Sequence, residues 1–173
     1  MQKNYKRLGE YIQQVDERNS NLEDLPLMGL SVQKMFIPSI ANTIGSNMAN
    51  YKTIYKDQFA YIADTSRRGD KIAVALFKDY EKALISQAYT TFEITDTKKL
   101  IPEYLMMWFS RPEFDRYARY KSHGSVREIF SWEEMCDVMV PIPNITQQQA
   151  LVCLLYTSPS PRDRTRTRMP SSA

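Results

Sequence analysis

Apolar positions fall in short runs over the first half of the chain and at helical spacing over the second. The clearest block spans residues 57–94. There Phe59-Ala60-Tyr61-Ile62-Ala63, Ile72-Ala73-Val74-Ala75-Leu76, Ala83-Leu84-Ile85 and Tyr89-Thr90-Thr91-Phe92-Glu93-Ile94 are separated by polar turns. Such runs, rich in aromatic and β-branched residues and bounded by Gly, Asp and Ser, predict strands of an antiparallel or mixed sheet. Upstream, Tyr5, Leu8, Tyr11 and Ile12 fit either a short strand or a helical turn. Residues 25–31, 35–37 and 51–55 predict further brief strands, and 39–50 an exposed loop with a short helical piece.

The pattern changes after Ile94. Pro102 and Glu103 suit the first turn of a helix, followed by apolar residues at 101, 104, 105, 108 and 109. Ser110 and Glu113 form a capping-box pattern for a second helix over 111–120, and Ser131 and Glu134 form another. Residues 138–143 contain Pro141 and Pro143, and the residue before a proline is pushed toward extended geometry. Residues 144–152 open a further helix, with Asn144 or Thr146 as its cap. The fold class is therefore α+β: a small, twisted, mostly antiparallel sheet with a C-terminal helical part.

Residues 153–173 differ in character. They are rich in Ser, Pro, Arg and Thr, which is the composition of a disordered segment. The run also resembles translated sequencing-adaptor read-through, and fold reasoning leaves it aside. A basic tail that clings to nucleic acid is the alternative. Its four arginines and one aspartate account for the whole net charge of +3, so the body is electroneutral. Nucleic-acid binding must then rest on local patches. No run reaches the roughly 18–20 apolar residues of a membrane span, and no secretory signal opens the chain. The expectation is a cytoplasmic protein with no membrane association, whose Cys136 and Cys153 are reduced.

Catalytic chemistry finds little support. No glycine loop for a methyl-donor cofactor occurs, nor an Asn/Asp-Pro-Pro-aromatic turn. Glu93 with Asp96-Thr97-Lys98 imitates a metal-dependent nuclease motif only faintly, and a solvated loop explains it. His123, the single histidine, has no acid or cysteine at a recognisable spacing. No cofactor and no metal are expected. DNA reading asks instead for cations that meet phosphates and side chains that reach base edges. The candidates are Arg67, Arg68 and Lys71 in a glycine-containing loop, and Arg119, Lys121, Ser125 and Arg127 around Gly124. Lys34, Asn47, Asn50 and Lys52 form a looser group. Each taken singly also reads as a solvated surface group. Tyr104, Trp108, Phe109 and Phe114 read as core.

Three stretches in order carry a family resemblance. They are Phe59-Ala60-Tyr61 with Ser66-Arg67-Arg68-Gly69-Asp70-Lys71-Ile72-Ala73, then residues 83–92, then Gly124-Ser125-Val126-Arg127 through Ser131-Trp132 to Val140-Pro141-Ile142-Pro143. Together they resemble a target recognition domain of a type I restriction–modification specificity subunit, over residues 5–152. Where that family carries an acidic residue before the closing glutamine, Thr146-Gln147-Gln148-Gln149 stands here. The resemblance implies a recognition domain over 1–143 and the start of a long spacer helix over 144–152, with 153–173 as the tail. It implies a non-catalytic part that reads one half of a split double-stranded DNA target. Its partners would be modification subunits, which methylate adenine with S-adenosylmethionine, and restriction subunits. A protein–protein adaptor is the alternative from another class.

Overall fold

The computed structural model describes residues 5–39, 47–65, 71–124 and 128–157. The strands are β1 (Tyr5–Arg7), β2 (Ile12–Val15), β3 (Met28–Leu30), β4 (Phe36–Pro38), β5 (Lys52–Tyr55), β6 (Phe59–Tyr61), β7 (Val74–Leu76), β8 (Lys82–Ile85), β9 (Thr90–Ile94) and β10 (Met139–Pro141). The helices are α1 (Pro102–Phe109), α2 (Pro112–Tyr120), α3 (Trp132–Cys136) and α4 (Ile145–Thr157). The α+β expectation holds. Among the described residues, one four-stranded sheet has the order β2-β9-β6-β7, and β1-β10, β3-β4 and β5-β8 form separate pairs. All these pairings are antiparallel. The block of residues 57–94 is thus divided: β6, β7 and β9 share the larger sheet, while β8 pairs with β5.

Alternation along β6 and β7 sorts side chains into two cores. Phe59, Tyr61, Ile72 and Val74 face one way, joining Phe92, Leu105, Phe109, Phe114 and Phe130 under the helices. Ala60, Ile62, Ala73 and Ala75 face the other, meeting Leu30, Phe36, Ile54, Phe77 and Ile85 from the hairpin strands. Alanines on that second face let the β3–β4 and β5–β8 pairs approach closely.

The helices begin as their prolines dictate. Ile101 and Arg111 precede Pro102 and Pro112 in extended geometry, and each proline occupies the first helical turn. The Ser131 half of the second capping box is made: its Oγ accepts from Glu134 N at 3.3 Å. The first is not. Arg111 is the residue before α2, and Ser110 is the last turn of α1, its hydroxyl donating back to Met106 O at 2.8 Å. Asn144 caps α4, its Oδ1 accepting from Gln147 N at 2.9 Å. The helix runs on to Thr157, past residue 152, and residues 158–173 lie outside the described part.

Gln148 fixes α4 to α1. It is fully buried; its Oε1 accepts from Ile101 N at 2.9 Å, and its Nε2 donates to Lys99 O and Pro143 O. β1 pairs with β10 in the register Tyr5–Pro141, Lys6–Val140 and Arg7–Met139. Gly9 permits the neighbouring approach, since a Cβ there would come within 2.8 Å of Cys136 Cβ.

Candidate nucleic-acid interface

The described residues that border the two predicted arginine segments in sequence, Thr65 and Glu128, lie side by side. Past β6 the backbone stays extended, and Ile62 N donates to Ala73 O at 2.9 Å. Phe130 N then donates to Ala63 O at 2.9 Å, and Thr65 N to Glu128 O at 2.9 Å. His123 and Ile129 exchange backbone bonds of 3.0 and 2.8 Å. Residues 63–65, 128–130 and 123 thus form a small three-chain ladder. The sequence neighbours of this ladder, 66–70 after Thr65 and 125–127 before Glu128, lie outside the described residues. The buried Thr65 strengthens the join: its Oγ1 lies 2.9 Å from Ser122 Oγ and 3.0 Å from Glu128 O, while Ser122 Oγ donates to Ala118 O in α2. Phe130 is the anchor, wholly buried with its ring edge-on to Tyr61, Phe114 and Tyr117.

Arg67, Arg68, Ser125 and Arg127 themselves lie outside the described residues. Lys71 and Arg119, from different predicted loops, line one open cleft of about 470 Å³ with Pro112, Asp115, Arg116 and Tyr120. Arg119 is the penultimate residue of α2 rather than part of a loop, and its Nη1 is 3.2 Å from Glu128 Oε2. Lys121 is half-buried, its ammonium 6.0 Å from the Tyr117 ring centre and 5.7 Å from that of Tyr120, within cation–π range.

Of the looser group only Lys34 reaches this region, through Asp115. Lys52 is buried, its ammonium donating to Tyr89 O at 2.6 Å and lying 3.9 Å from Asp16 Oδ1. Burial holds that ammonium below the usual lysine value, against the opposing pull of Asp16. Asn47 accepts from Ala49 N, and the Asn50 carbonyl accepts from Arg18. Lys34 forms a largely buried ion pair with Asp115, whose Oδ1 also accepts from Ile72 N at 3.1 Å. Asp115 thereby ties α2 to the start of β7.

Sequence reasoning missed Thr65, Asp115, Arg116, Tyr120 and Glu128. The signal for Arg116 and Tyr120 was present: they stand four apart on a helix whose Phe114 and Ala118 face inward, so they share an outer face. His123 is exposed and 3.4 Å from Glu134 Oε1. The nuclease-like acids are engaged structurally. Asp96 Oδ1 accepts from Lys98 N, and Glu93 accepts from the Gln13 and Gln58 amides. Among the described residues no three His, Cys, Asp or Glu cluster to hold a metal ion, and no helix is long and apolar enough to cross a membrane.

This arrangement defines a class: a mixed α+β domain with small antiparallel sheets and C-terminal helices. Solved structures place that class. The sequence itself matches no family model and no curated protein. Structurally the chain is similar to a chain of a type I R-M system, described for complex assembly and conformational transition (TM-score 0.54, 13% identity, covering 89% of this chain and 38% of that one). It is similar to the HsdS subunit from Thermoanaerobacter tengcongensis (TM-score 0.51, 14% identity, 97% and 40% covered). It is also similar to the Type-I restriction-modification system S subunit from M. genitalium (TM-score 0.54, 11% identity, 88% and 37% covered). The resemblance seen in the sequence therefore holds at the level of fold. The chain spans about two-fifths of the length of each of these structures.

Proposed function

We propose that this chain is a non-catalytic DNA target recognition domain that reads one half of a bipartite duplex target within a type I restriction–modification complex. Residues 1–143 form the reading domain and α4 begins the spacer. Modification and restriction subunits are the protein partners, and the complex works in the cytoplasm. The observation that supports the reading is the Thr65–Glu128 backbone bond, which joins the described residue next in sequence to the Arg67–Arg68 segment to the one next to the Ser125–Arg127 segment. Sequence is read where several side chains reach adjacent base edges, so segments that start from adjoining residues suit the task better than either alone. Lys71, Arg119 and Lys121 are the further cations of the reading. Lys52 has no part, because its ammonium is spent inside the protein.

The test assembles the chain with modification subunits of a type I system and selects bound sequences from a random duplex DNA pool. The expected result is enrichment of a short half-site. No enrichment from a folded, assembled complex leaves the adaptor reading standing instead. Arg67→Ala and Arg127→Ala should each weaken methylation of the selected target. Unchanged methylation in both would remove these segments from the site.

A further inference from the structure

We propose that the cleft between Lys71 and α2 seats a backbone phosphate of the DNA, and that Arg116 and Tyr120 belong to the interface as positioning residues. The inference rests on the recognition-domain reading and divides its labour: the segments 66–70 and 125–127 specify, and the cleft sets register.

Three cations line the cleft, Lys71 from the β6–β7 connection and Arg116 and Arg119 from α2. The one carboxylate among its lining residues, Asp115, is neutralised from behind by Lys34 and by Ile72 N, so it does not cancel their field. Arg116 is 72% exposed, and Glu113 at 3.9 Å is its ion-pair partner. An exposed pair at that distance is worth little, so the guanidinium can turn to a phosphate at small cost. Arg119 lies 3.2 Å from the carboxylate of Glu128, whose backbone oxygen accepts from Thr65 N in the ladder. The cleft therefore adjoins the Thr65–Glu128 join, where a phosphate contact would set register. Tyr120 stands at the rim with 80% of its surface exposed, beside the Lys121 ammonium. An aromatic so placed is little buried within the domain, and its ring would pack on deoxyribose next to the seated phosphate.

A phosphate contact and a base contact leave different signatures. Loss of one phosphate contact weakens binding uniformly across sequences and makes the salt dependence shallower by about one counterion. The experiment uses the chain assembled with modification subunits, on the selected duplex and on a scrambled duplex, titrated from low to moderate salt. Arg116→Gln and Lys71→Gln are both exposed changes, checked for folding by circular dichroism. Each should weaken binding to both duplexes on the order of tenfold at 0.1 M salt and reduce the salt slope by about 0.9. Tyr120→Ala should weaken both duplexes with the slope unchanged. If either glutamine variant keeps the wild-type slope, or alters the selected sequence, the cleft is not a phosphate seat, while wild-type selection of a half-site still upholds the recognition-domain reading. If the wild-type complex selects no sequence, that reading falls and the cleft with it.

Discussion

The two faces of the β6–β7 hairpin are built from the same alternating sequence yet do different work. One face is aromatic: Phe59 and Phe92 stack at 5.0 Å, and Phe109 stands edge-on to both. The other is made of alanines under aliphatic hairpin strands. The aromatic face also anchors the Thr65–Glu128 ladder, because Phe130 packs edge-on to Tyr61 and Phe114. The alanine face packs against the β3–β4 and β5–β8 pairs. Rigidity where side chains must be placed comes from large rings with many neighbours, and close layering comes from small residues.

The comparison can be broken most directly by truncation. Phe92→Ala, which removes contacts to Phe59, Tyr61, Phe109 and Trp132, should cost about 3–5 kcal/mol in urea unfolding, more than Ile85→Ala in the other core. Equal losses would show that the aromatic face has no special weight. Overfilling probes the opposite face. Ala75→Leu, at a site 1% exposed, should cost about 1–3 kcal/mol because the hairpins have no room to retreat. A neutral result would mean that the layer is slack.

The aromatic face also has a pH signature. Burial raises the Tyr61 phenol above its usual value. The unfolded chain ionises this group near pH 10 while the folded chain keeps the proton, so its contribution is complete below about pH 10 and is lost as pH rises. Unfolding free energy should fall by about 1.4 kcal/mol one unit above that point on account of Tyr61. Tyr61→Phe should flatten the fall, and an unchanged alkaline profile would contradict the burial. The smallest effect concerns the cap of α3, which lies on this face through Met135. Ser131→Ala should lower stability by about 1 kcal/mol, whereas Ser110→Ala, which removes no cap, should change it by only a few tenths. A reversed order would restore Ser110 as the cap of α2.

Local chemistry was well written into the sequence. Proline-opened helices, the Ser131 and Asn144 caps and most strands could be seen from neighbouring residues. What could not be seen are pairings between distant residues. Ile12 meets Ile94 and Tyr5 meets Pro141, and no local pattern encodes either register. The Ser110 pattern misled because Pro112 fixes the helix start one residue later. Lys52 misled because its alternating context does not reveal that Tyr89 O waits beneath it. The candidate segments were legible as basic and glycine-containing, but the Thr65–Glu128 bond that joins their described neighbours across the fold was not.

The β1–β10 pairing puts the incoming and outgoing chain side by side, Tyr5 against Pro141. A unit whose two connections emerge at one point can be lifted out and replaced without moving what flanks it. In evolutionary terms such a unit is a cassette: recombination at these two strands would exchange its contents whole while leaving its surroundings undisturbed.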